Sequence, residues 1–234
     1  MKLLSASMIA AVLVAGATSV RAEDTEAVVP LLQGSYFALA GGLNATTDGN
    51  ALDLNRVPQA IKFKFHEGPA ISVSGGYKLG IGLRTELEGS YRTNGVKDFD
   101  LNTNPLTGHQ SDISFMANML YDINTGTRVT PYLGAGIGVS MVSWKKFANA
   151  SSAQIINSGS SSTKFAIQAI GGFAVAIAPQ WETTVDFRYK GSNGHSFAGV
   201  QAVDSITGYK LRDMTIMVGL RYAFDTQTRA TAVR

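Results

Sequence analysis

The chain has no cysteine, few charged residues and, beyond its first 22 residues, no long uninterrupted apolar run. Each shortage excludes something. Without Cys there is no disulfide scaffold, thiolate metal site, Cys nucleophile or acylated lipoprotein cysteine. Only 16% of the 234 residues are charged and 45% are hydrophobic. Yet after the N-terminus no stretch of 18 or so apolar residues occurs, which excludes a polytopic helical membrane protein. Any membrane span must be a strand. A strong charge of one sign is also lacking. Residues 1–22 read as a signal peptide: Lys2 is a short positive start, Leu3 to Val20 is apolar and small, and Val20-Arg21-Ala22 is a small-residue cleavage site with cleavage expected after Ala22. Without Lys2 and Arg21, 18 basic residues face 17 acidic ones. That balance, with export from the cytoplasm, argues against a nucleic-acid partner.

What is present is alternation of period two. Leu83, Thr85, Leu87, Gly89 and Tyr91 alternate with Arg84, Glu86, Glu88, Ser90 and Arg92, so one strand face is apolar and the other ionic. Glu182 to Lys190 and Asp213 to Phe224 repeat the pattern. With Ser35 to Asn44, Ala70 to Lys78, Ile113 to Asp122, Tyr132 to Trp144 and Phe165 to Ile177 they make eight candidate strands. Each is roughly 9 to 13 residues long, enough to cross a bilayer when tilted. Connectors alternate as well. Those at Leu79 to Ile81, Ile123 to Pro131 and Ala178 to Gln180 are short. Those at Ala45 to Pro69, Asn94 to Asp112, Lys145 to Lys164 and Gly191 to Lys210 are long and polar. Within the first long connector, Ile61, Phe63 and Phe65 keep the parity of Ile71 and Val73, suggesting that the second strand extends above the membrane.

Periodicity alone does not say which face points inward, because a soluble barrel would reverse the two. Side-chain size favours the membrane orientation. The ionic parity also holds Ala38, Ala40, Gly42, Gly134, Gly136, Gly138, Ala174 and Ala176, which suit a narrow interior better than a solvent surface. Aromatics near strand ends, among them Phe37, Tyr77, Tyr121, Trp181, Tyr222 and Phe224, suit interfacial girdles. The expected fold is all-β: an eight-stranded antiparallel up-and-down transmembrane β-barrel with four long outer loops and short periplasmic turns. It spans residues 34–224, between a short periplasmic segment 23–33 and a periplasmic tail 225–234.

Four motifs carry a family resemblance: Gly76-Tyr77-Lys78-Leu79-Gly80, the run Leu83 to Arg92, Phe115-Met116-Ala117-Asn118, and Thr130-Pro131-Tyr132-Leu133-Gly134-Ala135-Gly136-Ile137-Gly138-Val139. Together with Gly219-Leu220-Arg221-Tyr222-Ala223-Phe224 as a closing strand, they resemble the small outer-membrane β-barrels that include opacity-type surface antigens and OmpA-like barrels. The resemblance implies a surface-exposed outer-membrane barrel with no shared catalytic residues. One departure is that Asp225 to Arg234 follow Phe224, so a Phe-terminal insertion signal would be read internally by the barrel-assembly machinery.

On the ionic parity, Arg84, Arg92, Arg188, Lys190 and Arg221 balance Glu86, Glu88, Glu182, Asp186 and Asp213, which reads as an ion-pair network filling the lumen. Neighbouring carboxylates such as Glu86 and Glu88 on one strand face do not by themselves grip a scissile bond. His66, His109 and His195 fall in outer loops or their edges and read as solvated. They lack metal-ligand spacing, and the Gly pairs are not phosphate loops, so no metal, cofactor or catalytic residue is expected. Lys210 and Arg212 point outward at the outer rim, where lipopolysaccharide phosphates would meet them. The expected role is structural or surface-interaction, in contact with outer-membrane lipid and an unknown surface ligand. Two rivals are a lipid A hydrolase using His195, Ser196 and Asp204, and a narrow solute channel.

Overall fold

The structure is a computed structural model that describes residues 33–47, 49–53, 60–99, 107–148, 160–197 and 206–224. The expected signal peptide, the tail 225–234 and Asp204 lie outside these residues. Met1–Gln33 and Gly34–Arg234 separate as two units, and the strands all belong to the second. They are β1 (Ser35–Thr46), β2 (Gly49–Asp53), β3 (Ala60–Phe65), β4 (Gly68–Lys78), β5 (Leu83–Phe99), β6 (Thr107–Asp122), β7 (Val129–Ala148), β8 (Ser161–Ala176), β9 (Trp181–Phe197) and β10 (Ile206–Ala223).

Strands β1 and β4 to β10 pair antiparallel, each with the next. The ladder from Tyr36↔Ala223 to Thr46↔Asp213 then joins β1 to β10 and closes an eight-stranded barrel, leaving no free edge. The other two strands form a hairpin on one rim. There β2 pairs with β10 and β3 with the outer part of β5. The expectation for Ile61 to Phe65 is met in part: the segment continues along β5 beyond the β4 ladder, but as a separate strand, because strand pairing is interrupted at His66–Glu67.

The strands also run past their expected ends. Phe99, Thr107, Ala148 and Phe197 all lie inside segments expected to be polar loop. The reason is that alternation continues with buried residues at Asn94 and Gln110, so the longer strands still have an interior to fill. Outward positions are apolar and exposed over one band, as at Leu39, Leu87, Ile137 and Ile216. The band stops where the same parity turns polar at Thr93, Ser111, Ser143, Thr163 and Arg212. The stretch Ile113–Tyr121, at about 3.4 Å per residue and a tilt of about 40°, rises roughly 20 Å, near the height of an outer-membrane hydrocarbon band.

Candidate functional site: the barrel interior

Burial of this interior follows from the pleat: in β5, Arg84, Glu86, Glu88, Ser90, Arg92 and Asn94 all point to one face, and closure makes that face the lumen. The ten charged residues singled out by parity all lie there, none more than 6% exposed. They occur in layers. At the short-turn end, Arg84 Nε donates to Asp122 Oδ1 (2.9 Å), and its Nη1 donates to the Tyr36 hydroxyl (2.8 Å). That hydroxyl donates to Glu86 Oε2 (2.9 Å). Arg221 Nη1 donates to Glu182 Oε2 (3.0 Å). Both guanidiniums lie 4.7–5.6 Å from the ring centres of Tyr36 and Tyr132. This stack of two cations and two rings closes the end.

In the middle layer, Glu88 Oε2 meets Arg188 Nη1 at 2.5 Å and accepts from Asn118 (2.9 Å) and Gln168 (3.2 Å). Arg188 Nε also reaches Asp186 (2.5 Å), which accepts from the Tyr132 hydroxyl (3.1 Å). The next layer centres on Asp112, which takes Lys190, Ser140 and, at 3.7 Å, Arg92. Lys190 lies 3.4 Å from Asp213, which accepts from Thr46 and Asn44. Small residues make these layers possible. A Cβ on Gly76 would collide with the Tyr36 ring, and one on Gly136 with the Asn118 side chain. A void of about 20 Å³ remains beside Ala38, Ser72, Ser74 and Arg84, room for about one water.

Two partners escaped the reading of the sequence. Asp112 and Asp122 share the parity of Asn118, but Asp112 ends the expected connector Asn94 to Asp112 and Asp122 is the last residue of the expected strand Ile113 to Asp122. Five buried cations therefore face six buried carboxylates, with Asp122 half-buried besides, among the described residues.

A second correction concerns His195. It is not a solvated loop residue: it is 0% exposed, with Nε2 2.8 Å from Ser192 Oγ and Nδ1 3.0 Å from the Ser162 carbonyl oxygen. The residue expected beside it in a hydrolase, Ser196, points away, and its amide donates to Ser162 Oγ. His66 and His109 are exposed, and no metal-binding cluster exists among the described residues. Lys210 is exposed, and the half-buried Arg212 donates from Nη1 to Asn193 Oδ1 (2.9 Å) and the Leu211 carbonyl (3.0 Å).

Above the ionic layers lies an aromatic cluster. Trp144 packs 5.7 Å from Phe197, 5.7 Å from Tyr209 and 5.9 Å from Phe65, measured between ring centres. The Tyr209 hydroxyl donates to Gln110 Oε1 (2.9 Å).

The profile of the outer membrane protein beta-barrel domain matches residues 8–224. Among solved structures, OprG from Pseudomonas aeruginosa is similar at 16% identity and TM-score 0.56, over 81% of this chain and 97% of that one. AlkL, solved in DMPC lipid bilayers, is similar at 16% identity and TM-score 0.51, over 84% and 92%. Neisserial surface protein A aligns at 18% identity and TM-score 0.49, over 82% and 99%. These identities carry the fold alone. No curated protein sequence matches the chain.

Proposed function

The chain belongs to the outer membrane protein β-barrel domain family, and on that premise we propose that it is a non-enzymatic, non-conducting barrel with a structural or surface-interaction role. The observation that carries this reading is the packed lumen: a cation–aromatic stack, two ion-pair layers and an aromatic cluster succeed one another along it. An eight-stranded barrel is just narrow enough for side chains to fill, and here they do so with charges that pair across the lumen. The hydrolase alternative loses support because His195 is buried against Ser192 while Ser196 is exposed and bonds through its amide to Ser162. The narrow-channel alternative loses support because side chains of successive layers cross the lumen, and the void beside Ala38 and Arg84, about 20 Å³, has room for about one water.

In this reading the signal peptide is removed and the barrel-assembly machinery inserts the protein, with its short turns in the periplasm and the extended strand ends outside. Lys210 and Arg212 then lie just beyond the apolar band, where their donors suit lipopolysaccharide phosphates through charge-assisted hydrogen bonds. Arg212 is held for this by Asn193. A further surface ligand would meet the outer rim.

The test is reconstitution of the full chain in planar bilayers, after a mobility change on boiling has verified the folded barrel. Absence of discrete conductance steps is expected. Steady unitary currents would overturn the closed-lumen reading.

A further inference from the structure

Beyond the apolar band the barrel reverses its chemistry. Where lipid surrounds the strands the interior is ionic; past Thr93, Ser111, Ser143 and Arg212 the outside is polar and the interior holds an aromatic cluster beside the buried amides of Asn94 and Gln110. A barrel segment surrounded by water needs an apolar core, and Trp144, Phe197, Tyr209 and Phe65 form it. One titratable base is enclosed in that core: His195, stacked on Phe197 with 9° between the rings.

Two irregularities put it there. The β9–β10 ladder shifts register on either side of Tyr209↔His195, with Gly194 (φ 78°) and Gly208 (φ 73°) in the left-handed region beside it. The bulge at Gly194 turns the alternation over, so His195 and Phe197 face inward where an unbroken strand would have sent them out. A second feature gives His195 a task. The β8–β9 ladder ends at Ala166↔Ser192. Above that point the Nδ1 contact with Ser162 O and the Ser196 amide bond to Ser162 Oγ tie the two strands together.

We propose that His195 is a pH-sensitive latch: neutral, it holds the outer end of β8 to β9 and completes the aromatic core; protonated, it loosens that end of the barrel. The neutral ring donates at Nδ1 to Ser162 O and accepts at Nε2 from Ser192. Protonation leaves the Nδ1 donor in place, removes the Nε2 acceptor of the Ser192 hydroxyl and places a charge among buried aromatic rings, so the cost of burying that charge is what opens the seam. The groups facing it are Asp112 from β6, Lys164 from β8, Lys190 from its own strand and Tyr209 from β10, while β7 contributes Trp144. Burial holds the His195 imidazole below its ordinary value. Lys164 and Lys190 press the same way, against the Ser162 carbonyl and Asp112. Burial also keeps the Tyr209 hydroxyl protonated. With the folded value depressed, the unfolded form binds more protons. The latch's contribution is therefore complete above the ordinary histidine value of about 6.5 and declines as pH falls below it.

Trp144 reports on the core directly, because the only other tryptophan, Trp181, can be replaced by Phe. In the full chain carrying Trp181→Phe, folded in detergent, Trp144 emission should shift to the red between about pH 7.5 and pH 5. The shift should vanish in His195→Gln and persist in His66→Gln and His109→Gln. A shift that survives in His195→Gln, or no shift in the parent, would overturn the proposal. If His195→Gln does not fold, Lys164→Gln decides: loss of this exposed like charge should raise the midpoint of the shift, and an unchanged midpoint would overturn it equally.

Discussion

Replacing Arg188 with Met tests the ionic interior most sharply. Arg188 is 6% exposed and stands between Glu88 and Asp186, each 2.5 Å away. Methionine fills much of the same volume but leaves both carboxylates without their nearest cation. Breaking a buried pair from one side costs about 3–5 kcal/mol, and the loss should fall in the upper part of that range because two carboxylates share this partner. Asn118, Gln168 and the Tyr132 hydroxyl still donate to them, which limits the cost. The complementary change, Glu88→Gln, should be milder, at about 1–3 kcal/mol, because Arg188 keeps Asp186 and the new amide can bond in place. The buried excess of carboxylates over cations gives the same asymmetry. Combining the two changes should recover part of the loss in a double-mutant cycle. Urea unfolding in lipid vesicles, followed by the mobility difference between folded and boiled protein, measures all three. A loss under about 1 kcal/mol for Arg188→Met, or a greater loss for Glu88→Gln, would refute a lumen held by mutually dependent charges.

The lipid face predicts that Val218→Arg, outward and exposed on β10, destabilises the barrel by about 2–4 kcal/mol in the same assay. Gly136→Val should cost about 1–3 kcal/mol and displace Asn118, whose side chain occupies the space of the missing Cβ; chemical-shift changes at Asn118 would report the displacement. At the outer rim, a Lys210→Ala/Arg212→Ala double variant should fold normally in neutral detergent yet lose the rise in melting temperature that lipopolysaccharide gives the parent. Equal shifts for both proteins would remove phosphate recognition from these two side chains.

How far the interior was legible depended on the regularity of the strand. Glu86, Arg188 and Asp213 lie in unbroken alternation, and a period of two assigns each to a face wherever the partners fall. Asp112 obeys the same parity but sits where strand ends are poorly marked in sequence: outward positions turn polar at the membrane boundary while the strand continues to Thr107; Asp122 is the terminal residue of both the expected and the observed strand, and only its contact with Arg84 makes it part of the network. His195 lies in the connector expected from Gly191 to Lys210, which β9 in fact enters as far as Phe197, and parity alone would not have placed it. Parity carried through Gly194 gives the wrong face, since nothing in a lone glycine says that it holds a positive φ.

Alternation, small residues on the ionic face and alternating connector lengths suffice to determine a closed barrel with charges inside, because each is a local property that closure merely collects. The partners of those charges are another matter. Arg84 meets Asp122 across 38 positions, Glu88 meets Arg188 across 100 and Lys190 meets Asp112 across 78. Such pairings depend on the stagger of the strands around the barrel, which no single strand encodes. The inward turn of His195, the seam it closes and the aromatic core above the membrane boundary likewise exist only once two bulges and several strands are brought into register.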